Sequence, residues 1–442
     1  MMMKRKIIKL LAVTLVAIMV AGCSKTQNPP AGSDNGDNNT EPVSIVFMHD
    51  EAEEERMTVY QEIIDGFMAE NPGIIVIQEA VGEDGFEAKV ITQVAGGSLP
   101  AIIASGTELM QKLDEEEIIN TRANREVIEE IGSDNFYTGI LDIINSLDGT
   151  GATCVPISGW VAGIWYREDL FAEKGLNPPE KWEDILIAAE TFHDPQNKMY
   201  GIMIGTGEAA NTQNHFQLFS QSNGAQLFDE KGQPQFNSLE MKETMEFYRE
   251  LYQYTIPGSN DNTTVRDTFV SGNAAMSVFS TYIMGPLYNA DMADKVGFAI
   301  PEHTQKSVFG SPSAYSISNT ITPAETEAAK KFIAYILSDE VNIKLLHMAA
   351  GGANPVLRSV ADTPEYWDVD VLEAFGDTAK SIPASFDELK VLGVQDGVTN
   401  PNAGSIMNAM IIGKAVNQIL VHGADLEIAM EKAQQEMLAL VN

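Results

Sequence analysis

The chain predicts an α/β protein built as two domains or one bilobed body. From residue 43 onward, short β-branched apolar runs alternate with amphipathic helical stretches, and the alternation restarts in the middle of the chain. Beyond an amino-terminal leader and a polar stretch, about 400 residues remain, which exceeds the usual size of a single hydrophobic core.

The elements follow in order. VSIVFM (43–48) reads as a strand, and HDEAEEERMTVYQEIIDGFMAENPG holds Val59, Ile63, Phe67 and Met68 at helical spacing until Asn71-Pro72-Gly73 stops it. IIVIQEAV (strand), FEAKVITQVAGG (helix), PAIIAS (strand) and TELMQKLDEE (helix) come next. Short connections between strand and helix imply parallel units with helices on both faces. Ligands in such sheets lie beyond the carboxyl ends of the strands, here His49-Asp50-Glu51 and Ser105-Gly106-Thr107.

The middle repeats the pattern. WVAGIWYR is a strand, EDLFAEKG a helix closed by Gly175, PPEKWEDILIAAETF a helix opened by prolines, and YGIMIG a strand. On WVAGIWYR, alternation puts Trp160, Ala162, Ile164 and Tyr166 on one face and Val161, Gly163, Trp165 and Arg167 on the other. Both faces are largely apolar, as in a central strand covered by helices. Trp165 and Tyr166 therefore read as core, and Phe171 as the buried side of the next helix. Later, TPAETEAAKKFIAYILSDE opens with Thr322, Pro323 and Glu325 in a capping-box arrangement. The last helix, DLEIAMEKAQQEMLAL, carries its apolar stripe on Leu426, Met430, Ala433 and Met437. No internal repeat of fixed period is present.

The first residues give an address. Lys4, Arg5, Lys6 and Lys9 precede an apolar run from Leu10 to Val20 that is too short to span a bilayer, the layout of a secretory signal peptide over residues 1–22. Val20-Ala21-Gly22-Cys23 resembles a bacterial lipobox, which implies cleavage before Cys23 and a lipid on its sulfur holding the chain to the outer face of the membrane. Residues 23–42 then read as a disordered tether rich in Asn, Asp, Gly and Pro. The full chain has 63 acidic and 28 basic residues, a net charge of −35, and loses four bases with the leader. Such an acidic surface argues against nucleic acid or anionic phospholipid as partners.

Signs of chemistry are few. Neither Gly-x-Ser-x-Gly, His-Glu-x-x-His nor a Walker A sequence occurs, and GTGEAA (205–210) lacks the third glycine of a dinucleotide fingerprint. The six histidines are scattered and never spaced i, i+4, so neither a metal nor a cofactor is expected. Cys154, the only other cysteine, sits in apolar GATCVPI and reads as a buried, inert thiol.

Five segments resemble the extracellular solute-binding proteins of ABC importers, in the large sugar-binding group called family 1. They are FMAENPGIIVIQEAV, VITQVAGGSLPAIIAS, GIWYREDLFAEKGLNPPEKWEDI, FVSGNAAMSVFSTY and ETEAAKKFIAYILSDE, the last followed by GANPVLRSV. Ala101 stands where the family usually has Asp, Arg167 where it has Asn, and Lys181 where it has Thr. The resemblance implies a two-lobed, type II periplasmic-binding-protein fold, with sheets rich in parallel strands and hinge strands between the lobes. It puts lobe one at about 43–152 plus 300–350 and lobe two at about 153–299 plus 351–442, by the family's motif order.

The resemblance also implies a function and a site. A lipid-anchored, monomeric receptor would capture a sugar, an oligosaccharide being expected, and pass it to the membrane subunits of an importer without doing chemistry. Carried over residue by residue, the ligand contacts are His49, Asp50 and Glu51 after the first strand, Ser105 and Thr107 after the third, Trp160 at the first crossing, Tyr282, and Ser311 with Ser313. These types suit a sugar, whose C–H faces stack on flat rings and whose hydroxyls pair with polar side chains. Each has a plainer alternative. His49, Asp50 and Glu51 sit where a helix cap would, the serines suit loop chemistry, and Tyr315 reads equally as core. Other functions weighed are a non-sugar receptor, a sensor lipoprotein of the same fold, and a secreted glycoside-active enzyme, which would need two facing carboxylates.

Overall fold

The computed structural model describes residues 41–441, and the leader, Cys23 and the tether up to residue 40 lie outside them. Strand β1 (Val43–His49) comes first along the chain, and VSIVFMH turns Ile45 and Phe47 into a buried face. Helix α1 (Glu54–Glu70) follows and ends where Asn71 turns back, its amide donating to the Phe67 carbonyl at 3.0 Å. Its buried stripe runs through Tyr60, Ile63, Ile64 and Phe67, while Val59 and Met68 are only partly covered. Strand β2 (Ile74–Ala80), helix α2 (Glu83–Gly96), strand β3 (Ile102–Ser105) and helix α3 (Thr107–Glu115) complete two parallel units, with β2 and β3 on either side of β1.

The next strand is longer than WVAGIWYR suggests. β4 runs from Val155 to Arg167, thirteen residues, and begins in VPISG, whose Pro156 and Gly159 look like strand breakers. Both are accommodated. The register with the neighbouring strand is irregular between Pro156 and Ser158, so the missing proline N–H falls at a bulge. Gly159 lies where a Cβ would stand 2.7 Å from the Phe386 ring. Strands β5 (Tyr200–Met203), β6 (Ala274–Ser280), β7 (Val296–Ala299) and β8 (Val308–Ile317) follow. They join one sheet in the order β2-β1-β3-β8-β4-β6-β5, with β7 also on β4. Pairing is parallel toward both ends of that path. In the middle, β8 runs antiparallel to β3 and to the first half of β4, whose second half runs antiparallel to β6 and β7.

Two long strands, β4 and β8, thus link the β1–β3 end of the sheet to the β5–β6 end. Buried apolar side chains separate into two clusters, one running from β1, β2, β3 and α1 on to Met203, Phe269, Ala274, Phe279 and Val296, the other around Phe216, Phe219, Tyr248, Ile412, Met430 and Met437. β4 serves both by alternation. Val161 and Trp165 enter the first cluster, Ala162, Ile164 and Tyr166 the second, and Trp160 packs partly buried against the second. Side chains between Ala353 and Leu389, including Tyr366, Phe375 and Phe386, bury in the first cluster.

The remaining elements lock this arrangement. Helix α4 (Ala210–Ser222) belongs to the second cluster; its turn from β5 is held by His215 Nδ1, which accepts from Gly205 N, and by Tyr248, which donates to the Gly205 carbonyl, so GTGEAA is a structural turn. Helix α5 (Pro323–Ile336) starts with the expected capping box, Glu325 N donating to Thr322 Oγ1 and Thr322 N to the Glu325 carboxylate. Helix α6 (Asp339–Leu346) contributes Asn342, whose amide donates to the Ile157 carbonyl on β4 at 3.1 Å. Helix α7 (Ala403–Asn408) touches α3 so closely that a Cβ on Gly404 would lie 2.8 Å from Lys112 N, and Ser405 donates to Glu115 at 2.7 Å. The last helix, Leu426–Val441, buries Leu426, Met430, Ala433 and Met437.

Candidate ligand-binding site

The crossing places side chains from distant segments on one face. Ser158 pairs with Ser313 and Trp160 with Ser311, so these four residues share a side of the β4–β8 ribbon. Trp160 is half-buried and stands edge-on to Phe309, ring centroids 5.6 Å apart at 82°. Ser311 Oγ lies 3.2 Å from Thr107 Oγ1 at the first turn of α3, tying the crossing to the end of β3. Ser105, half-buried, pairs with Ala314 on the same edge.

A turn after β6 delivers Tyr282. Thr281 donates to the Gly352 carbonyl at 3.1 Å, and the amide nitrogen of Asn354 reaches Thr281 Oγ1, Gly351 O and Gly352 O at 3.0–3.2 Å. Asn354 also exchanges backbone hydrogen bonds with Gly159 at 2.8 Å each. One asparagine therefore fastens the turn, the 351–354 loop and the crossing strand together. The Tyr282 ring lies against Gly352, where a Cβ would sit 2.5 Å from it. Burial pushes the Tyr282 hydroxyl up to about 12, and Ser313 is its hydrogen-bond partner, so it remains a neutral phenol.

Glu51, Arg56, Tyr60, Ser158, Tyr282 and Ser313 line a pocket here, with Leu345, Met348 and Ala353 forming an apolar wall. Arg56, at the start of α1, pairs with Glu51 across the β1–α1 turn, and its Nε is 4.0 Å from Glu53. Burial opposes the guanidinium charge, but the Glu51 carboxylate more than offsets this and raises its pKa. Tyr60 and Tyr315 are buried below, hydroxyl to hydroxyl at 3.1 Å.

Of the residues expected from the sequence, Glu51, Tyr282 and Ser313 meet in this pocket, while Trp160, Ser311 and Thr107 adjoin one another beside it along the crossing. Asp50 is half-buried and is not among the lining residues. His49 is elsewhere. It is fully buried, its ring 4.4 Å from Tyr60, with Gln78 Nε2 donating to its Nε2 at 2.9 Å and its Nδ1 without a partner among the described residues. Alternation explains the difference, since His49 follows Phe47 on the face that α1 covers. Arg56 and Ser158 were not expected. Arg56 is the lone base in the acidic run DEAEEER, a signal that only folding turns toward Glu51. Cys154 is fully buried, which pushes its thiol up to about 12.

The pocket offers acceptors, donors and hydroxyls over an apolar wall, an arrangement for holding a polar small molecule. Residues 51–343 match the family described as bacterial extracellular solute-binding protein. The chain is 33% identical over 440 residues to the putative ABC transporter periplasmic-binding protein YcjN of Escherichia coli (strain K12), covering 100% of this chain and 99% of that protein. It is 32% identical over 216 residues to a mannitol-binding protein of Pseudomonas aeruginosa, 45% of this chain and 48% of that one. Among solved structures, an ABC transporter solute-binding protein of Thermotoga lettingae bound with α-D-tagatose superposes with a TM-score of 0.73 at 19% identity, covering 91% of this chain and 100% of the other. One from Agrobacterium vitis with bound D-mannitol gives 0.68 at 22%, covering 90% and 98%. The fold is thus that of the two-lobed solute-binding proteins, and the chain belongs to the bacterial extracellular solute-binding protein family.

Proposed function

We propose that this protein is a lipid-anchored extracytoplasmic receptor that captures a sugar between its two bodies and delivers it to an ABC importer. The observation that carries the proposal is the pocket at the β4–β8 crossing, where Glu51, Arg56, Tyr282 and Ser313 meet from three segments of the chain. Hydroxyl-bearing ligands need such paired donors and acceptors beside an apolar wall. Trp160, Ser311, Thr107, Ser105 and Asp50 extend the ligand surface along the crossing, and Trp160 offers the ring on which a sugar face stacks. The first lobe takes about 43–152 plus 300–350 and the second about 153–299 plus 351–442, with strands β4 and β8 as hinges. Ligand favours the closed arrangement and so shifts a population that the importer recognises, without covalent chemistry.

Calorimetric titration of the purified protein against a sugar panel tests this directly. Binding of another solute class with no sugar binding would overturn the carbohydrate assignment. Anchoring rests on Cys23, and Cys23→Ser is expected to release the protein from membranes into the soluble fraction. Loss of sugar uptake on deletion supports delivery to an importer, whereas retained uptake with lost sugar response supports a sensor.

A further inference from the structure

We propose that a groove in the segment 364–380 is a second ligand site, apart from the crossing pocket, and takes a small organic cation whose ammonium group lies against Trp367 between Asp368 and Glu373. Its occupancy is independent of what the crossing pocket holds. Pro364, Trp367, Asp368, Leu372, Glu373 and Lys380 line the groove, and none of them lines the crossing pocket. Its volume is about 440 Å³, within the roughly 300–1,000 Å³ that small-molecule sites span.

The aromatic ring in the groove is held in one orientation. Trp367 ends the short helix Pro364–Trp367, is half-buried, and donates its indole N–H to the Ala361 carbonyl at 2.9 Å. Tyr366, fully buried, stands against it at 75° with centroids 4.7 Å apart, and its own carbonyl accepts from His347 Nε2 at 2.9 Å. With its N–H spent on Ala361, the indole brings the groove a π surface and no donor. Such a surface attracts cations, and Pro364 and Leu372 add apolar contact for the carbon groups an ammonium carries.

Charge decides the class of ligand. Residues 364–380 hold five acids, Glu365, Asp368, Asp370, Glu373 and Asp377, against one base, Lys380. The field is therefore negative, and it concentrates cations while turning anions away. Gly376, at a φ of 49°, joins the helices Asp370–Phe375 and Asp377–Ser385, so that Glu373 from one and Lys380 from the other line the same groove. Among the described residues, Asp368, Glu373 and Lys380 make no ion pair and no side-chain hydrogen bond, which leaves both carboxylates open to a ligand's positive charge. A neutral sugar would need several donors as well as acceptors, and Lys380 is the one side-chain donor left among the lining residues.

The test is magnetic resonance titration of the whole protein with isotope-labelled indoles, whose four signals include Trp160 at the crossing and Trp367. The Trp367 signal is assigned by its disappearance in Trp367→Phe. Choline is the probe, and its control is the neutral alcohol in which carbon replaces the choline nitrogen, the same shape without the charge. The expected result is a saturable shift of the Trp367 signal, with choline binding at least about tenfold tighter than the alcohol. Asp368→Asn and Glu373→Gln change exposed side chains without partners, and each should weaken choline by about threefold or more at an unchanged melting temperature. Lys380→Gln should tighten it, because a like charge is removed. Equal binding of choline and the alcohol makes this an uncharged apolar groove and overturns the proposal. So does a shift of Trp160 without Trp367, no saturable shift at all, or affinity unchanged in both carboxylate variants. Each of these results leaves the carbohydrate reading of the crossing pocket as it stands.

Discussion

Trp160 and Trp165 lie five residues apart on one strand and have different surroundings. Trp165 is fully buried among Phe298 and Phe375, with centroids 4.8 and 5.9 Å away. Trp165→Ala should cost about 3–5 kcal/mol of stability, measured by urea unfolding, because the cavity it leaves has rigid walls. Trp160 keeps part of its surface free at the crossing. Trp160→Ala should weaken ligand binding by about tenfold or more with little loss of stability, and unchanged affinity would show that the cleft lies elsewhere. His49 adds a pH dependence. Burial lowers its pKa to about 4, below the unfolded value of 6.5, so the neutral ring is the folded form. Its contribution is therefore complete above pH 6.5 and is lost as pH falls from there toward 4, by roughly 3 kcal/mol at most. Unfolding at pH 7 and pH 4.5 should show a steeper loss for the wild type than for His49→Gln.

Elements carry their own instructions to different degrees. The α5 start was fully legible, since a capping box is a contact among neighbours in sequence, and Thr322→Ala should cost about 1 kcal/mol in thermal or urea unfolding. The final helix was equally plain, because its four stripe residues are the four it buries. β4 was legible only in part. Pro156 and Gly159 are breakers by local rule, and only the bulge against β8 and the Phe386 ring over Gly159 make them strand residues. The helix expected to open at prolines instead starts at Trp182, whose ring stacks between Phe247 at 3.9 Å and His303 at 4.3 Å. Gly352 shows an element-scale constraint on the site. A methyl group there would displace the Tyr282 ring, so Gly352→Ala should lower ligand affinity more than stability, read by titration and melting of the same variant.

At the scale of the molecule, strands β4 and β8 pair along eight residues at the crossing and contribute side chains to both buried clusters, as β5, β6 and β7 also do. Saturating sugar should contract the protein in solution scattering, and at a concentration of 100 Kd should stabilise it by about 2.7 kcal/mol. Binding without contraction would rule out closure. The sequence by itself determined the first alternating strands and helices, the capping box of α5, the double-faced β4 and the family. Those are set by residue periodicity and by neighbours within a few positions, which every stretch of chain carries locally. Tertiary structure alone decided which residues meet. It turned Arg56 back onto Glu51, set Ser158 opposite Ser313, buried His49 under α1 and pinned Tyr282 to the crossing through Asn354. These pairings join segments up to hundreds of residues apart, and their geometry follows from strand register and close backbone approach, which no local pattern encodes.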